Sequence, residues 1–163
     1  MVVAAGGGAV GEIHIRAARS TDGEQLSHLR EALWPESSAE EHAIELGSIL
    51  AGTHGGALPL VVFVAEAANG VLVGFLEVGL RSHADGCDPR RPVGFLEGWF
   101  VLDIHRRKGV GKQLLTAGED WARSRGCVEM ASDTWIDHPV AQNVHEALGF
   151  EVVDRCVHYR KVL

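Results

Sequence analysis

Between Val101 and Leu115 an apolar run passes through a basic turn, Arg106-Arg107-Lys108-Gly109, and enters Val110-Gly111-Lys112-Gln113-Leu114-Leu115. No other stretch restricts the fold as strongly. Val110, Leu114, Ala117 and Trp121 recur at i, i+4, i+7 and i+11, the apolar stripe of an amphipathic helix, and Gly126 is placed to end it. A strand that feeds such a helix through glycines leaves the first-turn amides without partners. Those amides and the helix dipole attract an anion, and the glycines let a phosphate approach the backbone. The outline is that of a pyrophosphate cradle, and a structural turn with a solvated basic patch shares it. The turn itself fits neither GxxxxGK[ST] nor GxGxxG, which excludes the P-loop and the Rossmann fingerprint there.

The rest of the chain supplies a mixed sheet around that unit. Ile13, Ile15 and Ala17 alternate with His14, Arg16 and Ala18 as a first strand. Thr21-Asp22-Gly23-Glu24 has capping-box spacing ahead of Leu26, Leu29, Arg30 and Leu33, and Pro35 stops that helix near Trp34. Ser38-Ala39-Glu40-Glu41 repeats the cap, with Ala43, Leu46 and Leu50 as one face of a second helix, closed by a loop from Gly52 to Leu58. Pro59 to Glu66 and Val71 to Leu80 are β-rich, and Asn69-Gly70 between them suits a hairpin turn. A polar loop, Arg81 to Pro92, precedes the strand Val93 to Leu102. After the amphipathic helix come a short strand, Cys127 to Ser132, a helix, Val140 to Leu148, and a strand, Phe150 to Tyr159. The expected class is α/β, one domain over residues 12–163 behind a flexible tail, 1–11.

A chain of 163 residues buries enough surface to fold without disulfides or a metal. Cys87, Cys127 and Cys156 are odd in number and widely spaced, so they form no metal knuckle or disulfide framework, and the reducing cytoplasm is the expected compartment. Residues 1–11 lack the basic and apolar regions of a signal peptide. No run reaches the roughly 18 apolar residues of a membrane span. Lys and Arg number 15 against 22 Asp and Glu, a formal net charge of −7, which disfavours nucleic acid as a partner and suits a cationic small molecule.

Arg106, Gly109 and Gly111 match [QR]-x-x-G-x-[GA], and the segment resembles motif A of the GNAT N-acetyltransferases. Leu33-Trp34-Pro35, the run from Pro92 to Gly98, Glu129 to Asp133 and His145 to Glu151 make the chain most similar to the aminoglycoside 6′-N-acetyltransferases. The resemblance implies a mostly antiparallel mixed sheet, splayed at the cofactor site and flanked by helices. It also implies acetyl-CoA as co-substrate, held by Trp99, Phe100 and Val101 of the strand and by Arg106, Arg107, Lys108, Gly109, Val110, Gly111 and Lys112 of the loop. An aminoglycoside 6′-amine would be the acceptor, with Trp34 lining its cleft and Glu97 and Asp133 binding its amines. Direct attack in a ternary complex, antibiotic resistance, a homodimer and no metal complete the implication. Two alternatives stay open: a GNAT enzyme for another primary amine, such as a polyamine, an amino sugar or a peptide N-terminus, or a non-catalytic acyl-CoA-binding module.

The side chains also have readings of their own. A carboxylate at Glu97 interrupts an apolar strand, where it must be paired or functional. An amine acceptor is protonated at neutral pH, so a carboxylate must help remove a proton, and Glu97 is the first choice of base. A structural ion pair or an outward-facing position is its alternative. Asp133 binds substrate or serves a turn, Asp137 caps a helix, and Trp34 stacks on substrate or anchors the first helix. His145 is a candidate acid for the departing thiolate or a satisfied helix histidine. Tyr159 is expected to pack on the last strand. Arg90 and Arg91 are expected to face solvent, and the loop Arg81 to Asp88 lacks the aromatic residue common in the resembled enzymes.

Overall fold

The computed structural model describes residues 12–53, 55 and 58–162. The expected tail, 1–11, and part of the loop Gly52 to Leu58 lie outside them. The elements are β1 (Ile13–Ala17), α1 (Gly23–Leu33), α2 (Ala39–Leu50), β2 (Leu60–Ala67), β3 (Leu72–Arg81), β4 (Val93–Val101), α3 (Val110–Ser124), β5 (Met130–Ser132) and α4 (Pro139–Ala147). The strands lie in the order β1-β2-β3-β4-β5. The first four pair antiparallel, and β5 joins β4 in parallel.

Alternation along the strands sends apolar side chains to both faces. Leu76, Val78, Leu96 and Val101 meet Val110, Leu114 and Leu115 of α3 on one face. Val62, Val64, Leu72 and Phe75 meet Leu26, Leu29, Leu46 and Ile49 of α1 and α2 on the other. Gly118 lets α3 sit close: a methyl group there would come 2.8 Å from both Leu76 and Val78. The β2–β3 turn is the expected hairpin, with Gly70 at φ 79°.

Several local expectations change. Ser38 and Glu41 form the predicted capping box of α2. At α1 the box predicted for Thr21 and Glu24 does not form, because Asp22 accepts from Arg16 and from the Arg19 amide instead. Those bonds hold the Asp22 carboxyl below its ordinary range against the opposing effect of burial. The buried face of α2 is His42, Leu46 and Ile49, one position round from the predicted stripe, and Ala43 is exposed. The strand expected over Cys127 to Ser132 shrinks to three residues. The strand expected over Phe150 to Tyr159 does not form. Its residues from Glu151 are exposed, and Tyr159, expected to pack, is 93% exposed. A β-rich sequence forms a strand only where a partner edge satisfies its amides and carbonyls.

Candidate active site

The basic turn after β4 has an unusual backbone. Arg107 and Gly109 both adopt positive φ, 58° and 82°, on either side of Lys108. Gly109 is the N-cap of α3 and carries no side-chain cap bond. The amide of Gln113 donates to the Gly109 carbonyl, so those of Val110, Gly111 and Lys112 are left with no partner within the helix. Alternating backbone handedness turns successive N–H groups to one side, forming an anion-binding concavity at the positive end of α3. Arg107, Lys108 and Lys112 stand exposed around it.

Arg106 does something different from its neighbours. Its Nε donates to the Val101 carbonyl at 2.8 Å, its Nη1 lies 2.8 Å from Asp103, and its guanidinium is 5.5 Å from the Phe100 ring centre. It ties the turn to the end of β4. Gly111 must be small for a separate reason, since a methyl group there would come 3.0 Å from the Trp99 indole.

Beside the cradle the sheet opens. β5 pairs with β4 only from Gly94 to Leu96, whereas β3 follows β4 along its whole length. The β3–β4 register slips once, from Glu77↔Gly98 to Val78↔Leu96, which leaves Glu97 as the extra residue of a bulge. The amide of Leu102 donates to Val73 of β3. By strand alternation the backbone groups of Trp99 and Val101 therefore point away from β3, into the gap that β5 does not fill. An extended amide-bearing chain can pair there.

Trp34 and Glu97 lie on the α1–α2 side of this fork. Trp34 caps the C-terminus of α1 and lies over Gly98, where a methyl group would come 2.8 Å from its Cζ2. Its carbonyl faces His42 Nε2 at 3.1 Å, and its ring is 6.1 Å from that of Phe75. It thus anchors α1 and presents a half-buried ring to the fork. The Glu97 carboxylate lies against Gly79 and is gripped by Arg81, with Nε–Oε1 at 3.1 Å and Nη2–Oε2 at 2.7 Å. Arg81 in turn stacks on Phe95, its guanidinium carbon 3.2 Å from the ring centre.

Deeper on the same face, Glu77 is 3% exposed, and Arg30 Nη1 is 3.3 Å from its Oε1 without hydrogen-bond geometry. Burial pushes the Glu77 carboxyl up to about 7 despite the pull of Arg30, with Glu45 and Glu97 adding to the rise. Arg30 also bonds Glu45 and lies 5.1 Å from the Trp34 ring centre. The floor below Trp34 is thus charged and tightly held.

On the α3–α4 side His145 faces the fork from α4. Its Nδ1 is 2.7 Å from the Ala141 carbonyl, which can only accept, so Nδ1 carries the proton. Nε2 is 3.0 Å from Ser132 Oγ and accepts the hydroxyl proton when the ring is neutral. The ring meets Trp99 and Phe150 edge-on at 6.0 and 5.2 Å. Asp133 follows β5 directly and is exposed. Arg90 and Arg91 are exposed beside Asp88, as expected.

Residues 24–150 match the model of the Acetyltransferase (GNAT) family. The chain belongs to the GNAT family. It is 42% identical, over 90% of its length and 97% of the relative's, to an aminoglycoside N(6')-acetyltransferase type 1 of Salmonella enteritidis. The solved structure of AAC(6')-Iy in complex with a bisubstrate analog, CoA-S-monomethyl-acetylneamine, superposes with a TM-score of 0.83 at 40% identity, covering 94% of this chain and 100% of that one. AAC(6')-Iy in complex with CoA gives 0.83 at 39% identity, covering 98% and 99%.

The GNAT site contains residues that sequence reasoning did not single out. Glu77 and Arg81 lie on β3 and Arg30 on α1, and only the sheet register and the seating of α1 bring them to Glu97 and Trp34. A glutamate inside the apolar run from Val71 to Leu80 was the available signal for Glu77, since such a residue must find a partner. Ser132 carried none, because a serine at a strand end is ordinary. Glu97 is ion-paired, as its alternative sequence reading expects, and it stands at the fork.

Proposed function

We propose that this GNAT domain, over residues 12–163, transfers acetyl from acetyl-CoA to the 6′-amine of aminoglycoside antibiotics and so confers resistance. The observation that carries the reading is the position of Glu97. A half-buried carboxylate stands at the bulge where β4 and β5 part, beside an aromatic wall and next to an open strand edge and an amide cradle. A binding module has no use for a carboxylate at that point.

The chain's residues divide the work. The amides of Val110, Gly111 and Lys112, with Arg107, Lys108 and Lys112 around them, bind the pyrophosphate, and Gly109 gives the turn its shape. The gap-facing backbone of Trp99 and Val101 pairs with the pantetheine arm, with Phe100 and Arg106 bracing the strand end. When bound, acetyl-CoA supplies the thioester: the amine nitrogen bonds its carbonyl carbon and the carbon–sulfur bond breaks. Trp34 packs against the sugar ring. Glu97 accepts the ammonium proton, directly or through water, and Asp133 holds a further amine. His145, beside Ser132, gives the Nε2 proton of its doubly protonated ring to the thiolate, and the second proton shed by the acylated nitrogen replaces it. Clamping both substrates provides proximity.

Two further readings concern the setting. No helix among the described residues is long and apolar enough to cross a membrane. The cytoplasm, where acetyl-CoA is made and thiols stay reduced, is the proposed compartment. A homodimer is supported by the C-terminal segment, whose Val152, Val153, Val157 and Val162 are all more than 60% exposed. Light scattering on the purified chain checks this, and a monomer at micromolar concentration rejects it.

The test is CoA thiol release with acetyl-CoA and kanamycin, tobramycin, spermidine or a short peptide. The expected result is fast turnover confined to acceptors bearing a 6′-amine. Glu97→Gln should abolish release while acetyl-CoA affinity stays intact. Turnover with the other amines alone would discard the acceptor, and no turnover at all would favour a binding module.

A further inference from the structure

Glu97 already holds a cation. Arg81, the last residue of β3, sits opposite Val93 of β4 and reaches Glu97 with two parallel N–H···O bonds, one to each carboxylate oxygen. Gly79 closes off the carboxylate from beneath, with a methyl group there placed 3.2 Å from Oε1. An amine approaching Glu97 therefore meets a carboxylate whose oxygens are both engaged by a guanidinium. We propose that Arg81 is a tethered cation that an incoming ammonium must displace from Glu97. The proposal rests on the acceptor reading given above.

The net gain on binding depends on the acceptor. Swapping a guanidinium for one ammonium trades one ion pair for another and also gives up the Phe95 stacking, so a monoamine gains little. A polycation brings further charges, and Asp133, exposed directly after β5, is a carboxylate that Arg81 does not cover, so a second pair there offsets the exchange. The exchange thus weighs on every acceptor alike, and only one with further charges to place binds well in spite of it. The Arg81 side chain is 42% exposed and Glu97 29%, so the pair is held in partly solvated surroundings and can open. Arg30 and Glu77, both under 5% exposed, cannot play this part.

The experiment compares steady-state kinetics of the full chain and of Arg81→Ala with kanamycin and with 6-amino-6-deoxyglucose, a sugar with a single amine. In Arg81→Ala we expect KM for kanamycin to fall about 2- to 5-fold, the range of a partly exposed ion pair, with kcat within about twofold. We expect kcat/KM for the monoamine to rise by a similar factor from a lower starting value, because the exchange costs both acceptors alike. Arg81→Gln, which keeps the stem over Phe95 without the charge, carries the same test if the alanine variant melts early. A KM that is unchanged or raised, or a kcat that drops tenfold because Arg81 only orients Glu97, overturns the proposal. The two readings fail separately. Unchanged kinetics in variants of an enzyme that acetylates kanamycin overturn the Arg81 role alone. A wild-type chain inactive on kanamycin, whose variants gain turnover of the monoamine, overturns the acceptor and supports the Arg81 role.

Discussion

Gly98→Ala probes the joint between α1 and the fork. An alanine methyl at position 98 would come 2.8 Å from Trp34 Cζ2 and closer still to Cη2, whereas carbon atoms pack at about 3.5–4.0 Å. The indole must therefore move by roughly 0.7 Å or more. It has little freedom to do so. The Trp34 amide donates to Arg30 at 2.7 Å, its carbonyl is 3.1 Å from His42 Nε2, and Arg30 lies 5.1 Å from the ring centre. Overpacking of this kind costs about 1–3 kcal/mol. In a domain of this size that lowers Tm by about 2–12 °C. Calorimetry reads the stability, and steady-state kinetics read the site. KM for the aminoglycoside should rise while KM for acetyl-CoA stays constant, because the cradle and the gap-facing edge of β4 do not touch Trp34. Adding Trp34→Phe, a smaller ring, should recover part of the Tm loss, since the two residues are in contact and their effects cannot add. An unchanged Tm and acceptor KM in Gly98→Ala would refute the placement of Trp34 over Gly98.

Three further outcomes are expected. Gly109→Val forces a β-branched side chain into a φ of 82°, which should raise the acetyl-CoA Kd about tenfold or more by titration calorimetry while leaving the acceptor KM alone; equal CoA affinity would reject the cradle. Glu77 has its folded pKa raised to about 7 from 4.5, so the folded protein holds a proton that the unfolded chain releases. Stability should therefore fall as pH rises from about 4.5 to 7, by an amount on the order of 3 kcal/mol at most. Glu77→Gln should flatten that slope, and a wild-type Tm that is level across the window would contradict the burial of Glu77. Ser132→Ala and His145→Ala should each lower kcat about 10- to 100-fold, with the double variant little worse than either; an unchanged kcat and pH profile in His145→Ala removes it as the acid.

Local sequence determined the parts of this protein whose causes are local. The glycine-bearing turn between Val101 and Val110, the stripe on α3, the capping box at Ser38 and the Asn69-Gly70 hairpin all follow from dihedral preferences and helical spacing within a few residues. The cofactor cradle is legible for the same reason, being made of one segment's own amides. The acceptor face is not, because its residues come from α1, β3 and β4 and meet only through a sheet register that contains a one-residue bulge. Shifting that register by one residue would turn Glu97 to the opposite face of the sheet. Whether Glu97 was paired, which arginine paired it, and what lay beneath Trp34 were therefore decided by tertiary structure. The same holds at the C-terminus: the sequence from Phe150 to Tyr159 has β character, but a strand exists only where a neighbour completes its hydrogen bonds, and β5 ends after three residues.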